Sequence, residues 1–95
     1  MLDFGDMSLA QIKYFVAVAE ESTVGRASKR LRVAQPPLSR QIQSLEDELG
    51  TKLFERSACG MRLLPPGVAF LEHARRALAE LAAAAHAARQ LGDPE

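Results

Sequence analysis

Cysteine, net charge and long apolar runs are all scarce in this sequence. The single cysteine, Cys59, excludes an intrachain disulfide and leaves no thiolate cluster for a structural zinc ion, so a reducing compartment is the simplest home. The first residues, MLDFGDMSL, have neither the basic start nor the apolar core of a secretory signal. The alanine-rich C-terminal part is interrupted by Glu72, Arg75, Arg76 and Glu80, which excludes a membrane span. A soluble, cytoplasmic chain with no membrane partner is expected. Twelve basic residues against twelve acidic ones give a formal net charge of zero, which as an average argues against a nucleic-acid partner. Catalytic arrangements are missing as well. Ser39 has no His near it in sequence, and His73 and His86 stand thirteen residues apart, not at the spacing of three or four that puts two ligands on one helical face. No enzyme activity, metal or cofactor is expected. Cys59 reads as an incidental free thiol.

What the sequence does contain changes the charge argument. The acids lie before and after the segment Ser22 to Arg40, which holds Arg26, Lys29, Arg30, Arg32 and Arg40 and no Asp or Glu. Directly overlapping it, Gln35 to Leu49 reads QPPLSRQIQSLEDEL, with Leu38, Ile42, Leu45 and Leu49 spaced by four, three and four. That spacing makes one apolar stripe on a helix, and the stripe must face a core. The other face carries Gln35, Ser39, Arg40 and Gln43, with Glu46, Asp47 and Glu48 held to the last turn. Such a face suits the DNA major groove, because Arg pairs with guanine O6/N7 and Gln with adenine N6/N7.

The flanking elements follow from local signals. Residues 1–6 lack periodicity and read as a loose arm. Ser8-Leu9-Ala10-Gln11 is a capping box that starts a first helix, whose apolar face is Leu9, Ile12, Phe15, Val16 and Ala19 and whose end falls near Glu21 or Ser22. Phe15 is a core residue in this reading, and the place of Tyr14 is left open. Thr23 caps a short second helix to about Leu31, with Val24, Ala27 and Leu31 inward and Arg26, Lys29 and Arg30 outward. The connection Arg32-Val33-Ala34 has the length of the turn in a helix-turn-helix. Pro36 and Pro37 are tolerated in the first turn of the third helix, and Gly50 ends it. Lys52 to Arg56 and Met61 to Leu64, joined by Ser57-Ala58-Cys59-Gly60, form a small hairpin, a wing. From Pro65 or Pro66 to about Leu91 the chain is helical, and Gly92-Asp93-Pro94 stops it. Leu71, Ala74, Leu78, Leu81, Ala85 and Ala88 read as a coiled-coil seam that a second copy would cover. Ninety-five residues make one small domain, for which extra burial through oligomerisation is an advantage. The fold class is therefore mainly α: a winged helix-turn-helix at 1–65, with a two-stranded wing, and a long linker helix for dimerisation at 66–95.

Phe15 to Glu20, Ala27, Leu31, Ala34-Gln35-Pro36-Pro37-Leu38-Ser39-Arg40-Gln41-Ile42, Leu45-Glu46, Leu49-Gly50, Leu53-Phe54 and Arg56 together resemble the N-terminal domain of LysR-type transcriptional regulators. The resemblance runs from about Leu9 to Ala74. Pro at both 36 and 37 is similar to the branch that controls degradation of aromatic compounds. The resemblance implies a homodimer on double-stranded DNA, with the third helix of each subunit in the major groove of a half-site of a partly palindromic operator. Position by position it implies groove contacts from Gln35, Pro36, Pro37, Ser39, Arg40 and Gln43, and backbone contacts from Thr23 and Arg56. Lys29, Arg30 and Arg32 are added from charge alone. Members of the family start near the position of Met7, so residues 1–6 are an upstream extension in this reading. They also continue into an effector-binding domain that drives tetramer formation. In this reading the chain is a DNA-binding fragment without that domain, and no small-molecule ligand is expected in it.

Some positions depart from the family pattern. Ala34 stands where a Ser often caps the third helix, and Gly25 and Ser28 replace a commoner Thr and Ala in the second; each is expected to cost some stability. Leu64 replaces the usual Thr cap of the linker helix, which leaves Pro65 and Pro66 to start its first turn without a side-chain cap. The wing tip Ala58-Cys59-Gly60 lacks the Arg that relatives place in the minor groove, and Arg62 substitutes for it only if the strand register turns it outward. The rival function is a winged helix that binds protein, which the polar face of the third helix argues against.

Overall fold

A computed structural model of the chain describes residues 7–92. The readings made for residues 1–6 and for Asp93 and Pro94 lie outside that range. Helix α1 (Leu9–Glu21), α2 (Val24–Leu31) and α3 (Gln35–Leu49) lead into a two-stranded antiparallel sheet, β1 (Phe54–Ser57) and β2 (Gly60–Leu63), and the long helix α4 (Pro65–Leu91). This is a winged helix-turn-helix with a long C-terminal helix.

Local chemistry accounts for most helix ends. The Gln11 N–H donates to Ser8 Oγ and the Ser8 N–H donates to Gln11 Oε1, closing the capping box of α1. Thr23 Oγ1 accepts the Arg26 N–H at the start of α2. Three helices end on a residue in the left-handed region: Ser22, Arg32 and Gly50. At Arg32 this geometry makes the helix-turn-helix bend, with the Arg32 N–H bonded to the Lys29 carbonyl and the Val33 N–H to that of Ser28.

Two of the expected weaknesses are offset by local geometry. A Ser at position 34 would accept from the N–H of the second or third residue of α3, and both are prolines, so Ala34 forgoes nothing there. The buried Ser28 hydroxyl donates to the Gly25 carbonyl at 2.8 Å, so it enters the core satisfied.

Helix α1 is the hub of the core, packed against α2, α3, α4 and β2. Phe15 is fully buried; its ring lies 5.3 Å from that of Phe54 on the wing and 5.0 Å edge-on from that of Phe70 on α4. Val18, Ala27, Leu38, Ile42, Leu45 and Leu53 complete the interior, and Tyr14 packs at its margin. Leu9, expected inside, is exposed in the first turn of α1, and Leu49 is exposed at the end of α3 because the core stops at Leu45 and Glu46.

The wing and α4 also differ from expectation. The strands extend to Ser57 and Gly60, leaving Ala58 and Cys59 as a two-residue turn. Part of the apolar row expected to form a seam on α4 is covered within the chain itself. Leu71 (9% exposed) and Ala74 (5%) are used up within the chain's own core, and Leu78 is partly covered by it, so Leu71 and Ala74 are not open to a second copy.

Gly67, in the first turn of α4, sits so close to the wing that an added Cβ would meet the Leu53 carbonyl oxygen and a Leu63 methyl inside contact distance. Helix propensity alone favours Ala over Gly by about 1 kcal/mol. The forced shift costs about 1–3 kcal/mol, so Gly67→Ala is expected to lower the melting temperature; a rise in a thermal scan would contradict this packing.

Candidate nucleic-acid interface

The burial of α3 on one side determines what its other side offers. Leu38, Ile42 and Leu45 are fully buried, while Gln35, Pro36, Pro37, Arg40 and Gln43 are exposed and Ser39 is half-buried. Glu46, four residues after Ile42 on the same inner face, is turned away from these donors and into the fold. The acids left near the outer face, Asp47 and Glu48, lie at the far end of the helix. Pro36 and Pro37 have no N–H, and the Leu38 N–H is bonded to the Ala34 carbonyl. The start of α3 therefore keeps one free backbone donor, that of Gln35, in place of the usual several. Anion binding here falls to side chains more than to the helix end.

Close approaches show which elements adjoin this surface. A Cβ added at Gly25 would lie 3.6 Å from Gln35 Nε2, and one added at Gly60 would lie 3.2 Å from the Thr23 methyl. The wing's turn, the start of α2 and the start of α3 thus follow one another as neighbours. The Met61 N–H donates to the Ser22 carbonyl at 2.8 Å, which holds β2 to the junction before α2.

Ion pairing sorts the basic residues. Arg26, Lys29, Arg32, Arg40 and Arg56 are exposed and pair with no acid among the described residues. Arg30 is different. It bonds Glu20 at 2.9 Å and Glu21 at 3.2 Å on α1, and Glu20 also takes Arg75 of α4 at 3.0 Å. Its guanidinium ties α2 to α1 and is not free in the way the charge pattern suggested. On the wing, Arg62 faces outward as the register allows, but it meets the carboxylate of Glu55 across the strands.

The family model for bacterial regulatory helix-turn-helix proteins of the lysR family matches residues 9–68. The chain belongs to the LysR family. It is 58% identical over 72 residues to the HTH-type transcriptional regulator TfdS of Cupriavidus pinatubonensis, a match covering 76% of this chain and 24% of that regulator. The DNA-binding domain of CbnR, solved as a complex with DNA, superposes with a TM-score of 0.85 at 48% identity, covering 88% of this chain and 97% of that one. That of BenM, in complex with catB site 1 DNA, gives a TM-score of 0.90 at 38% identity over 94% and 99%. The chain spans about a quarter of the length of TfdS and of the similar regulators TdfR and ClcR.

Two side chains that hold elements of this LysR domain together escaped the sequence reading. Gln11, buried in α1, donates through Nε2 to Gln41 Oε1 at 3.0 Å and to Ser44 Oγ at 3.4 Å, so the amide that caps α1 also braces α3. The capping role was visible locally; the brace spans thirty residues of sequence and left no local signal. Glu46, the second, signals itself only by its place in the apolar stripe. No group of three or more His, Cys, Asp or Glu among the described residues is arranged to hold a metal ion, and no helix there is long and apolar enough to cross a membrane.

Burial raises the Glu20 carboxyl, but the hydrogen bonds and charge of Arg30 and Arg75 outweigh it and hold the group below its ordinary value. A carboxylate held down in the folded state contributes stability that is present above its unfolded value and disappears as pH falls through the folded one. Glu20→Gln is therefore expected to lower the urea midpoint at neutral pH, with the difference from the parent shrinking below the ordinary carboxylate range. A difference independent of pH would contradict the ion-pair account.

Proposed function

We propose that this LysR-family chain is the sequence-specific DNA-binding domain of a transcriptional regulator, placing α3 in the major groove of each half-site of a partly palindromic operator. The observation that carries this reading is the exposed face of α3: two amides, a hydroxyl and a guanidinium with no acid partner among the described residues, with Glu46 turned inward. The CbnR and BenM domains bound to DNA support it. Gln35, Pro36, Pro37, Ser39, Arg40 and Gln43 contact base edges and the groove; Thr23, Arg56, Lys29 and Arg32 meet phosphates. Arg30 belongs to the internal ion-pair network and leaves that set. The Pro36-Pro37 pair, similar to that of the branch controlling degradation of aromatic compounds, supports a regulator of that kind.

Binding to protein fits less well. The exposed large hydrophobic residues, Leu9, Leu49, Val68, Leu81 and Leu91, all lie off the polar face of α3, whereas a protein-binding face needs apolar anchors on it. They fit a second copy of the chain instead. Leu81 is 52% exposed and lines a cleft with Leu9, Lys13, Leu78 and Ala82 between α1 and α4. Dimerisation through α4 uses Leu78, Leu81, Ala85 and Ala88, with Leu9 from α1. The role is regulatory and cytoplasmic, with no catalytic step and no cofactor.

Docking is electrostatic and base reading follows. Each phosphate neutralised releases counterions, and log K falls by about 0.9 per contact for each log unit of salt. Arg40→Ala is expected to cost about 1–3 kcal/mol on a preferred duplex and to relax the choice at one base pair. Lys29→Ala is expected to weaken preferred and random duplexes equally and to flatten the salt slope. Equal losses on both duplexes for Arg40→Ala, in fluorescence anisotropy titrations, would remove Arg40 from base reading. For assembly, Leu81→Asp is expected to give a monomer in sedimentation velocity, and an unchanged dimer would place the interface elsewhere.

A further inference from the structure

Glu46 is 7% exposed, and its side chain is committed to one place. Its Oε2 accepts the Leu53 N–H at 2.8 Å and the Phe54 N–H at 3.2 Å, the last residue before β1 and the first within it. Its main-chain carbonyl accepts the Gly50 N–H at 2.9 Å and the Thr51 N–H at 3.2 Å. One residue therefore closes the connection between α3 and the wing at both ends: the backbone stops the helix and the carboxylate catches the strand.

The rest of the wing is built outward from that catch. The Leu53 carbonyl accepts the Leu64 N–H at 2.9 Å, and Phe54 is paired with Leu63. Arg56 stands two residues beyond Phe54 on the same strand, exposed and unpaired among the described residues. A strand advances about 3.3 Å per residue, so Arg56 is held only a short step from the point where Glu46 grips the backbone. Hydrogen bonds to a carboxylate are shorter and stronger than neutral ones. A buried pair of N–H groups deprived of its acceptor must move to find another.

We propose that Glu46 is the positioning residue that couples the groove-reading helix to the wing, fixing where Arg56 meets the DNA backbone. This rests on the DNA-binding reading. Both N–H groups converge on a single oxygen, so the acceptor count sets a graded series. Glu46→Gln keeps one oxygen at the right reach and preserves the wing's position with weaker bonds. Glu46→Asp is a methylene too short, and Glu46→Ala has no acceptor; both release the wing.

The test is the salt dependence of binding to a short mixed-sequence duplex, for the parent and these three variants, each with and without Arg56→Ala, well below each protein's melting point. In the parent and in Glu46→Gln, Arg56→Ala is expected to reduce the slope of log K against log salt by about 0.9, the loss of one phosphate contact. In Glu46→Ala and Glu46→Asp the slope is already reduced, and Arg56→Ala changes it no further. Amide exchange at Leu53 and Phe54, measured without DNA, is expected to be fast in these two and slow in Glu46→Gln. If Glu46→Ala does not fold, Glu46→Asp carries the comparison. Parental slopes in the shortened variants, or an equal effect of Arg56→Ala in every background, would overturn the proposal while leaving DNA binding intact. No binding by the parent protein would overturn the DNA reading itself and this proposal with it.

Discussion

The structure depends on how three aliphatic side chains of α3, those of Leu38, Ile42 and Leu45, are buried against α1. All three are removed completely from solvent, as are Phe15 and Val18 of α1. Each such burial contributes about 1.5–3 kcal/mol relative to exposure, so together they outweigh any preference of the polar residues on the same helix. Rolling α3 by a single residue would carry Ser39 or Gln43 into that interior and Leu38 out of it. The rotation of the helix is therefore fixed from below, and the display of Arg40 and Gln43 is its consequence. Phe15 extends the same constraint to the rest of the molecule, because its ring also meets Phe54 on the wing and Phe70 on α4.

Charge is distributed by the same logic of facing. A chain with no net charge can still present a basic surface if its acids are occupied or lie elsewhere. Glu20 and Glu21 engage Arg30 and Arg75, Glu55 engages Arg62, Glu72 engages Arg76, and Glu46 is used by two backbone N–H groups. Arg26, Lys29, Arg32, Arg40 and Arg56 are left with no such partner among the described residues. Neutrality in composition thus coexists with a local surplus of positive groups around α2, α3 and the wing, and exposed ion pairs of this kind contribute little to stability individually.

Features that rest on neighbouring residues were legible in the sequence. The capping box at Ser8 and Gln11, the Thr23 cap, the prolines opening α3, the stripe from Leu38 to Leu45 and the hairpin all depend on residues within one or two turns of each other. What was not legible depends on contacts across the fold. The brace from Gln11 to α3 and the tie from Arg30 to α1 need the helices to be placed first. Leu71 and Ala74 have the spacing of a seam, but spacing does not say whether the covering surface comes from the same chain or another. Glu46 shows the limit most clearly, since a charged residue within an apolar stripe becomes intelligible only once the backbone N–H groups of Leu53 and Phe54 are seen above it.

Selection of bound duplexes from a random-sequence pool tests most directly whether the outward face of α3 reads bases. The account requires two inverted half-sites with their centres about one helical turn of DNA apart, or a multiple of it, as a symmetric pair of reading helices imposes. A recovered pool no different from its input, bound with the same affinity as random duplex, would contradict it.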